Sequence, residues 1–345
     1  MLEYRWVRTW WQIHRRHGKL LLILALDDAG QPIGLAPLYL RRDTHDPVRL
    51  LRTVHLLGTG EREADEIVSE YLGWLAPPEA VDAMTAVVGQ VLRARTDSWD
   101  RVHLLNLGAE QDLHLHLPRE LSPVAQQLAV HPRPTFRITV RPLDEYLAAL
   151  PSANFRHRCR RALRAGVEAG VELVTATRPG QAREMFEALA TLHQRRWSER
   201  GRPGAFDSLV FRDFHGQLMP SYVADGTGWL VGLRQGDRWL AVRYHLRAGD
   251  RVFDYLSGID LETPGALGPG LLLTLHGLEW CARNGVRTYD LLAGDYEYKR
   301  KLATDTDEIF ELDLFGSSLA AQLWLAARRL RSRWRAGSPT LATTR

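Results

Sequence analysis

Cysteine is scarce in this sequence. Its 345 residues hold two, Cys159 and Cys281, far apart and outside any ligand-like spacing. That argues against a disulfide framework or a cysteine-built metal site and fits a reducing compartment. Long apolar runs are missing as well. The best run, Leu20 to Leu26, falls far short of the ~18 residues that a membrane-spanning helix needs. Nor does a basic segment lead into an apolar one at the N-terminus, where Glu3, Arg5 and three tryptophans stand instead. No signal peptide is read there, and the expected location is the cytoplasm.

Several catalytic motifs are absent too. There is no Gly-x-Ser-x-Gly elbow, which argues against an α/β-hydrolase, and no P-loop. Gly58-Thr59-Gly60 begins like a dinucleotide fingerprint, but Glu63 stands where the third glycine belongs. No His-Glu-x-x-His occurs and the histidines are scattered, so no metal is expected. A net charge of +4 is mild for this length, and most arginines are interleaved with acids, as on a solvated surface.

What is present reads as α/β. The length exceeds what one hydrophobic core serves, so two domains are expected. Periodicity predicts a helix over 3–16, a strand pair at 20–26 and 32–41, a strand over 50–57, a helix over 77–95 and a strand over 101–107. The His- and Pro-rich stretch 108–141 reads as a connection plus an edge strand. Helices over 142–150 and 152–169 and a strand over 171–177 follow. The second half predicts helices over 180–200 and 207–224 and strands over 228–234, 238–247 and 251–258. A helix over 269–284, strands over 286–292 and 308–315, and a terminal helix from 317 complete it. Residues 32–39 echo 237–244 in pattern, which suits two copies of one α/β unit.

Two stretches could carry chemistry. In Leu267-Gly268-Pro269-Gly270, directly before a helix, the glycines let the backbone approach a ligand and leave N–H groups at a positive helix end. That suits a phosphate or pyrophosphate; the other reading is a loop that only caps the helix. In Tyr289 to Lys299, Asp290 shares a strand face with Thr288 and Leu292. An acid in an apolar strand is a candidate base, because partial burial raises its pKa; the other reading is a turn cap. Asp295 and Lys299 stand at i, i+4 and pair if the stretch turns helical.

Two arginine clusters stand out. Arg156, Arg158, Arg160, Arg161 and Arg164 form in part a helical stripe that suits RNA, an anionic lipid or a phosphorylated substrate, or else a solvated face packed by Ala162 and Leu163. Arg328, Arg329, Arg331, Arg333 and Arg335 accompany Leu323, Trp324, Leu325 and Leu330 on the terminal helix. Its two readings are peripheral membrane association and packing on its own domain.

The run from Ser152 to Phe315 resembles the GNAT-type acetyltransferase domain of the CelD/BioF2-like family, which is related to the Fem peptidoglycan aminoacyltransferases. The likeness lies in the basic helix, in His193-x-x-x-Trp197 leading to Gly201 and Phe206, and in Pro269-Gly270-Leu271-Leu272. The segment Tyr289-Asp290-Leu291-Leu292-x-Gly294-Asp295-x-x-Tyr298-Lys299 is its most specific part. Trp10-Trp11 and Ala36-Pro37-Leu38-Tyr39 look like the family's first half. Gly265 stands where the usual phosphate loop has Gln or Arg, and Pro269 removes one N–H.

The resemblance implies an α/β fold of tandem GNAT-like (acyl-CoA N-acyltransferase) domains, with mixed central sheets flanked by helices. The expected domains are a degenerate N-terminal one over 1–141, a catalytic one over 142–316, and a basic helix and tail over 317–345. The implied activity is N-acyl transfer from an acyl-CoA, acetyl-CoA foremost, to an amine of a small-molecule or envelope/saccharide acceptor. Leu267, Gly268, Gly270 and Leu271 would hold the donor's pyrophosphate, and N–H groups of the strand 239–246 the thioester carbonyl. Asp290 or Asp295 would act as base and Tyr298 as acid, with Lys299 beside them. Trp197, Arg243 and Tyr244 are assigned to the acceptor cleft, with core packing as the other reading for Trp197 and Tyr244. The alternatives are a Fem-like enzyme that draws its acyl group from aminoacyl-tRNA, and a non-catalytic accessory protein of polysaccharide biosynthesis.

Overall fold

A computed structural model describes residues 3–42, 51–263, 265 and 267–337, without the side chains of Gln127 and 331–337. Its elements begin with α1 (Tyr4–His14), β1 (Gly18–Leu26), β2 (Pro32–Arg42), β3 (Arg52–Leu56), α2 (Val81–Arg93), β4 (Arg101–Gly108), α3 (Leu113–Leu121) and β5 (Ala125–Thr139). Next come α4 (Leu143–Ala149), α5 (Ala153–Glu168), β6 (Glu172–Thr175), α6 (Pro179–Ser198), α7 (Leu209–Asp225), β7 (Gly228–Gln235), β8 (Arg238–Ala248) and β9 (Arg251–Ile259). The last are α8 (Pro269–Arg283), β10 (Thr288–Ala293), α9 (Glu297–Leu302), β11 (Asp305–Gly316) and α10 (Leu319–Gly337).

These elements form two compact units. The first takes Met1–Gly60, Val68–Pro132 and Phe310–Arg345, and the second takes Glu61–Ile67 and Arg133–Ile309. The boundaries read from the sequence, 141/142 and 316/317, keep residues 61–67 in the first domain and set the terminal helix apart. By contacts, 61–67 go with the second unit and α10 with the first.

In the first unit the strand order is β1-β2-β3-β4-β11-β5. The β1–β2 hairpin closes where Asp27 Oδ1 accepts the N–H groups of Ala29 at 2.9 Å and Gln31 at 2.8 Å. β3 and β4 pair in parallel, so the chain must cross over between them, and α2 lies on that crossover. The core gathers Leu56, Val88, Leu92, Leu104 and Leu117. α10 docks through Ala321, Trp324 and Leu325, with Trp324 stacked on Phe315 at 4.6 Å. That is the packing alternative for this helix. Of its arginines, the side chains of Arg331, Arg333 and Arg335 lie outside the described residues, as does Leu50 of the third predicted strand.

The second unit runs β5-β10-β9-β8-β7-β6. Strands β7, β8 and β9 form an antiparallel meander, and α8 carries the chain over to β10, parallel to β9. Adjacent strand residues face opposite ways, and β8 shows both faces. Arg243 and His245 point to the α8 side, where they meet Thr274 and Tyr289. Tyr244 points to the other side, with its ring 5.7 Å from that of His215 on α7. The echoing segments are β2 and β8, each the second strand of an antiparallel hairpin.

Two elements differ from expectation. β5 is an interior strand of 15 residues rather than an edge strand. α3 arises within the stretch read as a connection, where Leu113, Leu117 and Leu121 are buried on one face.

Candidate functional site

The site is built where two parallel strands stop pairing. β9 and β10 are in register at Thr288↔Arg251, Tyr289↔Val252 and Asp290↔Phe253, and the recorded pairing ends there. β9 continues to Ile259 and β10 to Ala293. On its other edge, β10 slips register against β5 between Asp290 and Ala293. Leu292 lies at φ 62, in the left-handed region that non-glycine residues rarely enter. The backbone kinks, and side chains hold the kink in place. Asp290 Oδ1 accepts the Leu292 N–H at 2.7 Å, and Lys299 Nζ donates to Leu292 O at 3.1 Å and Ala293 O at 2.5 Å.

Asp290 is fully buried, and both its oxygens are engaged. Oδ2 faces Arg251, with Nε at 3.0 Å, and Arg137 Nε at 3.6 Å. Lys299 does not pair with Asp295, although the two stand at i, i+4. α9 starts only at Glu297, so Asp295 precedes the helix and reaches Arg300 instead, in the exposed turn.

Asp254 is the first β9 residue beyond the paired stretch, and the sequence reading passed over it. Its side chain is 8% exposed and forms an ion pair with Arg243 Nη1 at 3.3 Å. Burial pushes its carboxyl above the ordinary range; Arg243 and Lys299 oppose that rise, and Asp290 adds to it. The signal was available, since Asp254 is an acid in an apolar strand just as Asp290 is.

Arg243 anchors a buried relay on the α8 side. It donates through Nη1 to Thr274 Oγ1 at 2.7 Å and Tyr289 Oη at 3.2 Å, and through Nη2 to Gly270 O at 3.3 Å. Tyr289 donates onward to His245 Nε2 at 2.7 Å, and His245 Nδ1 donates to Trp229 O at 3.3 Å. This proton order requires a neutral imidazole, and burial first, then Arg243, drive the His245 pKa well below its usual value.

Tyr298 connects this cluster to α6. Its residue is half exposed, yet its hydroxyl is pushed up to about 12 by desolvation and then by Asp254, with Arg243 and Arg196 pulling the other way. Trp197, half-buried on α6, donates through Nε1 to His193 Nε2 at 3.0 Å. Gly258 of β9 lies flush under α6, where an added Cβ would come 2.6 Å from Leu189 O.

The first turn of α8 begins at Gly268, a left-handed N-cap at φ 50 and ψ 63 without a side-chain cap. Gly270 faces Ile259, where an added Cβ would stand 2.7 Å from Cδ1. The turn joins the cluster through the bond from Arg243 to Gly270 O. α5 packs on α8 through Gly166, against Leu272. Its Arg158, Arg160, Arg161 and Arg164 are exposed, while Arg156 donates to Leu150 O.

The structure thus brings together Arg243, Tyr298, Lys299, Gly270 and the start of α8. It leaves Asp295 at the surface and Tyr244 in the packing on the α7 side. β8 is paired with both β7 and β9 along residues 241–246, with a register shift against β9 between Tyr244 and His245. Cys159 and Cys281 are buried free thiols, pushed up to about 11 and about 12 by burial. Among the described residues no group of three or more His, Cys, Asp or Glu could hold a metal ion. No described helix is long and apolar enough to cross a membrane.

Residues 153–300 match the family described as acetyltransferase (GNAT) domain. No curated protein sequence matches the chain. Among solved structures, FemX is similar at 13% identity and a TM-score of 0.60, covering 92% of each chain. L-PGS from Bacillus licheniformis is similar at 9% identity and a TM-score of 0.50, covering 94% of this chain and 96% of that one. Both likenesses are of fold. With this match over residues 153–300, the protein is an acyltransferase by class.

Proposed function

We propose that the protein moves an acyl group from an acyl-CoA, acetyl-CoA foremost, to an amine of a small-molecule or envelope/saccharide acceptor, with Asp254 as the general base. The observation that carries this reading is the position of Asp254. It is a buried carboxyl with a raised pKa, at the point where β9 and β10 part, within electrostatic reach of Tyr298.

The donor's pyrophosphate lies on the N–H groups of Leu267, Gly268, Gly270 and Leu271, at the positive end of α8. Its thioester enters the gap between the parted strands, where the edge of β9 beyond Phe253 offers N–H groups to the carbonyl oxygen. The acceptor ammonium gives a proton to Asp254, and the freed amine attacks the carbonyl carbon. The C–N bond forms and the C–S bond breaks. Tyr298, held protonated by its raised pKa, gives its proton to the leaving thiolate and regains one from the amide nitrogen, while Asp254 releases its proton to water. Asp290 and Lys299 are positioning residues that keep the kink at Leu292, and Trp197 lines the acceptor's approach. Asp295 has no part in this scheme.

Calorimetric titration with acetyl-CoA and a longer acyl-CoA tests the donor. Saturable binding that a Gly270→Glu substitution abolishes, together with Asp254→Asn retaining binding while losing transfer, is the expected result. Absence of binding to either donor sinks the proposal. One observation favours a second donor: the exposed guanidinium groups on α5 suit the phosphates of an aminoacyl-tRNA, as in a Fem-like enzyme. That reading requires transfer to be sensitive to ribonuclease and to fall steeply with salt.

A further inference from the structure

Neighbouring arginines on α6 sit in contrasting surroundings. Arg195 pairs with Glu199 at 3.3 Å and also with Glu262. Arg196 has no ion pair among the described residues, and its Nε is buried without a hydrogen-bond partner. The side chain is half-buried, and burial first, then Arg200, push its pKa down. A desolvated guanidinium with an orphaned donor costs free energy. No acid in the described chain offsets that cost.

The surroundings of Arg196 point to what does. Its electrostatic neighbours are Arg200 and the hydroxyls of Tyr296 and Tyr298, and Tyr298 in turn reaches the Arg243–Asp254 pair. The Arg200 guanidinium, just past the C-terminal end of α6, lies 6.0 Å over the Trp197 ring. Arg196 and Arg243 both act on Tyr298 and Lys299 acts on Asp254, while the second acid of this cluster, Asp290, is engaged by Arg251 and Arg137. The approach past Tyr298 is therefore electropositive, with a half-buried donor fork, unpaired among the described residues, within electrostatic reach of the proposed acid.

We infer that Arg196 binds a carboxylate carried by the acceptor, so that the acceptor is an amino acid or another amine bearing an acid group close to the reacting nitrogen. A planar carboxylate matches the side-on fork of Nε and its neighbouring Nη with two parallel hydrogen bonds. Held so, the acid group sits by Arg196 and the ammonium is free to face Asp254. The inference takes the word acceptor from the proposed acyl transfer; the carboxylate site itself does not depend on it.

The test is calorimetric binding of matched pairs, L-lysine against cadaverine, L-phenylalanine against phenethylamine and muramic acid against glucosamine, with glucosamine 6-phosphate as a phosphate control. Wild type, Arg196→Leu and Arg196→Lys are compared, each with its acetyl-CoA affinity. The carboxylate-bearing members are expected to bind ~10- to 100-fold tighter, as a charge-assisted pair provides. Arg196→Leu removes that preference, Arg196→Lys keeps part of it, and acetyl-CoA binds as before. Arg196→Leu unfolds no earlier than wild type, since no ion pair or hydrogen bond among the described residues is lost. A carboxylate preference without any acetyl-CoA binding would leave this inference standing while the transfer reading fell. Equal binding within pairs, preference for the phosphate, or an Arg196→Leu defect in acetyl-CoA binding instead would overturn it.

Discussion

Asp254 and Asp290 lie on adjacent strands, are nearly or fully buried and face guanidinium groups, but the hydrogen bonds separate them. Asp290 accepts the Leu292 N–H and is held by Arg251 and Arg137, so its negative charge is part of the fold. Asp290→Asn is expected to destabilise by about 3–5 kcal/mol, as removal of one partner from a buried pair does; thermal unfolding checks this. Asp254→Asn is expected to destabilise as well, because it leaves the buried Arg243 with the uncharged acceptors Thr274, Tyr289 and Gly270 O. It is expected to slow transfer by ~10²- to 10⁴-fold. The base works only when ionised, and its pKa is raised. Wild-type transfer therefore falls on acidification through a pH above the ordinary ~3.9 of aspartate, and the residual rate of Asp254→Asn lacks that limb. Sequence alone flagged one of these acids and missed the other by the same criterion. What distinguishes them is which arginines reach across from β5 and β9, and that follows from register rather than from residue type.

At the scale of the element, Gly258 sets how closely α6 approaches β9. An alanine Cβ there would press on the carbonyl of Leu189, a backbone atom that moves only with its helix. Gly258→Ala is expected to cost about 1–3 kcal/mol, the usual range for overpacking, and to raise the acceptor KM as Arg196 and Trp197 shift. A fall in stability with an unchanged acceptor KM would separate packing from positioning. The exposed charges of α5 have the opposite character. Replacing Arg158, Arg160, Arg161 and Arg164 with glutamine is expected to change stability by under ~0.5 kcal/mol each, read by denaturant unfolding. Most elements of the second unit were legible because their apolar residues recur at helical or strand spacing, as in α8 and the β7–β9 meander. β5 was not: His131-Pro132-Arg133-Pro134 hides its alternation, and its place between β11 and β10 comes from partners far away in sequence. The kink at Leu292 was illegible too, since nothing about a leucine announces a positive φ.

At the scale of the whole molecule, buried histidines tie stability to pH. His215 and His245 are fully buried and His193 nearly so. Burial holds His215 near about 3, and burial with Arg196 holds His193 near about 4. In the unfolded chain such rings take up a proton below ~6.5, while in the folded protein they stay neutral. Their contribution is thus full above ~6.5 and is lost as the pH falls toward the folded values, at about 1.4 kcal/mol per pH unit for each ring. His215→Phe is expected to flatten the acid limb of a stability–pH curve by that amount; an unchanged slope would show that His215 is protonated in the native state.

Residues 61–67 belong to the second unit although the chain on both sides of them belongs to the first, and the first unit recovers the chain again at Phe310. Asp65, in that short visit, accepts the hydroxyl of Ser208 at 2.7 Å, and the same serine oxygen caps α7 by accepting the Phe211 N–H at 3.1 Å. A gene segment encoding residues 133–309 alone therefore omits a piece of the body it should make, and what it leaves behind keeps residues 61–67 without the body they belong to. A cassette of residues 133–309 moved between proteins would leave the Asp65–Ser208 contact behind. In the proposed scheme, substitution in place, at positions such as Arg196 and Trp197, reaches new acceptors while keeping that contact.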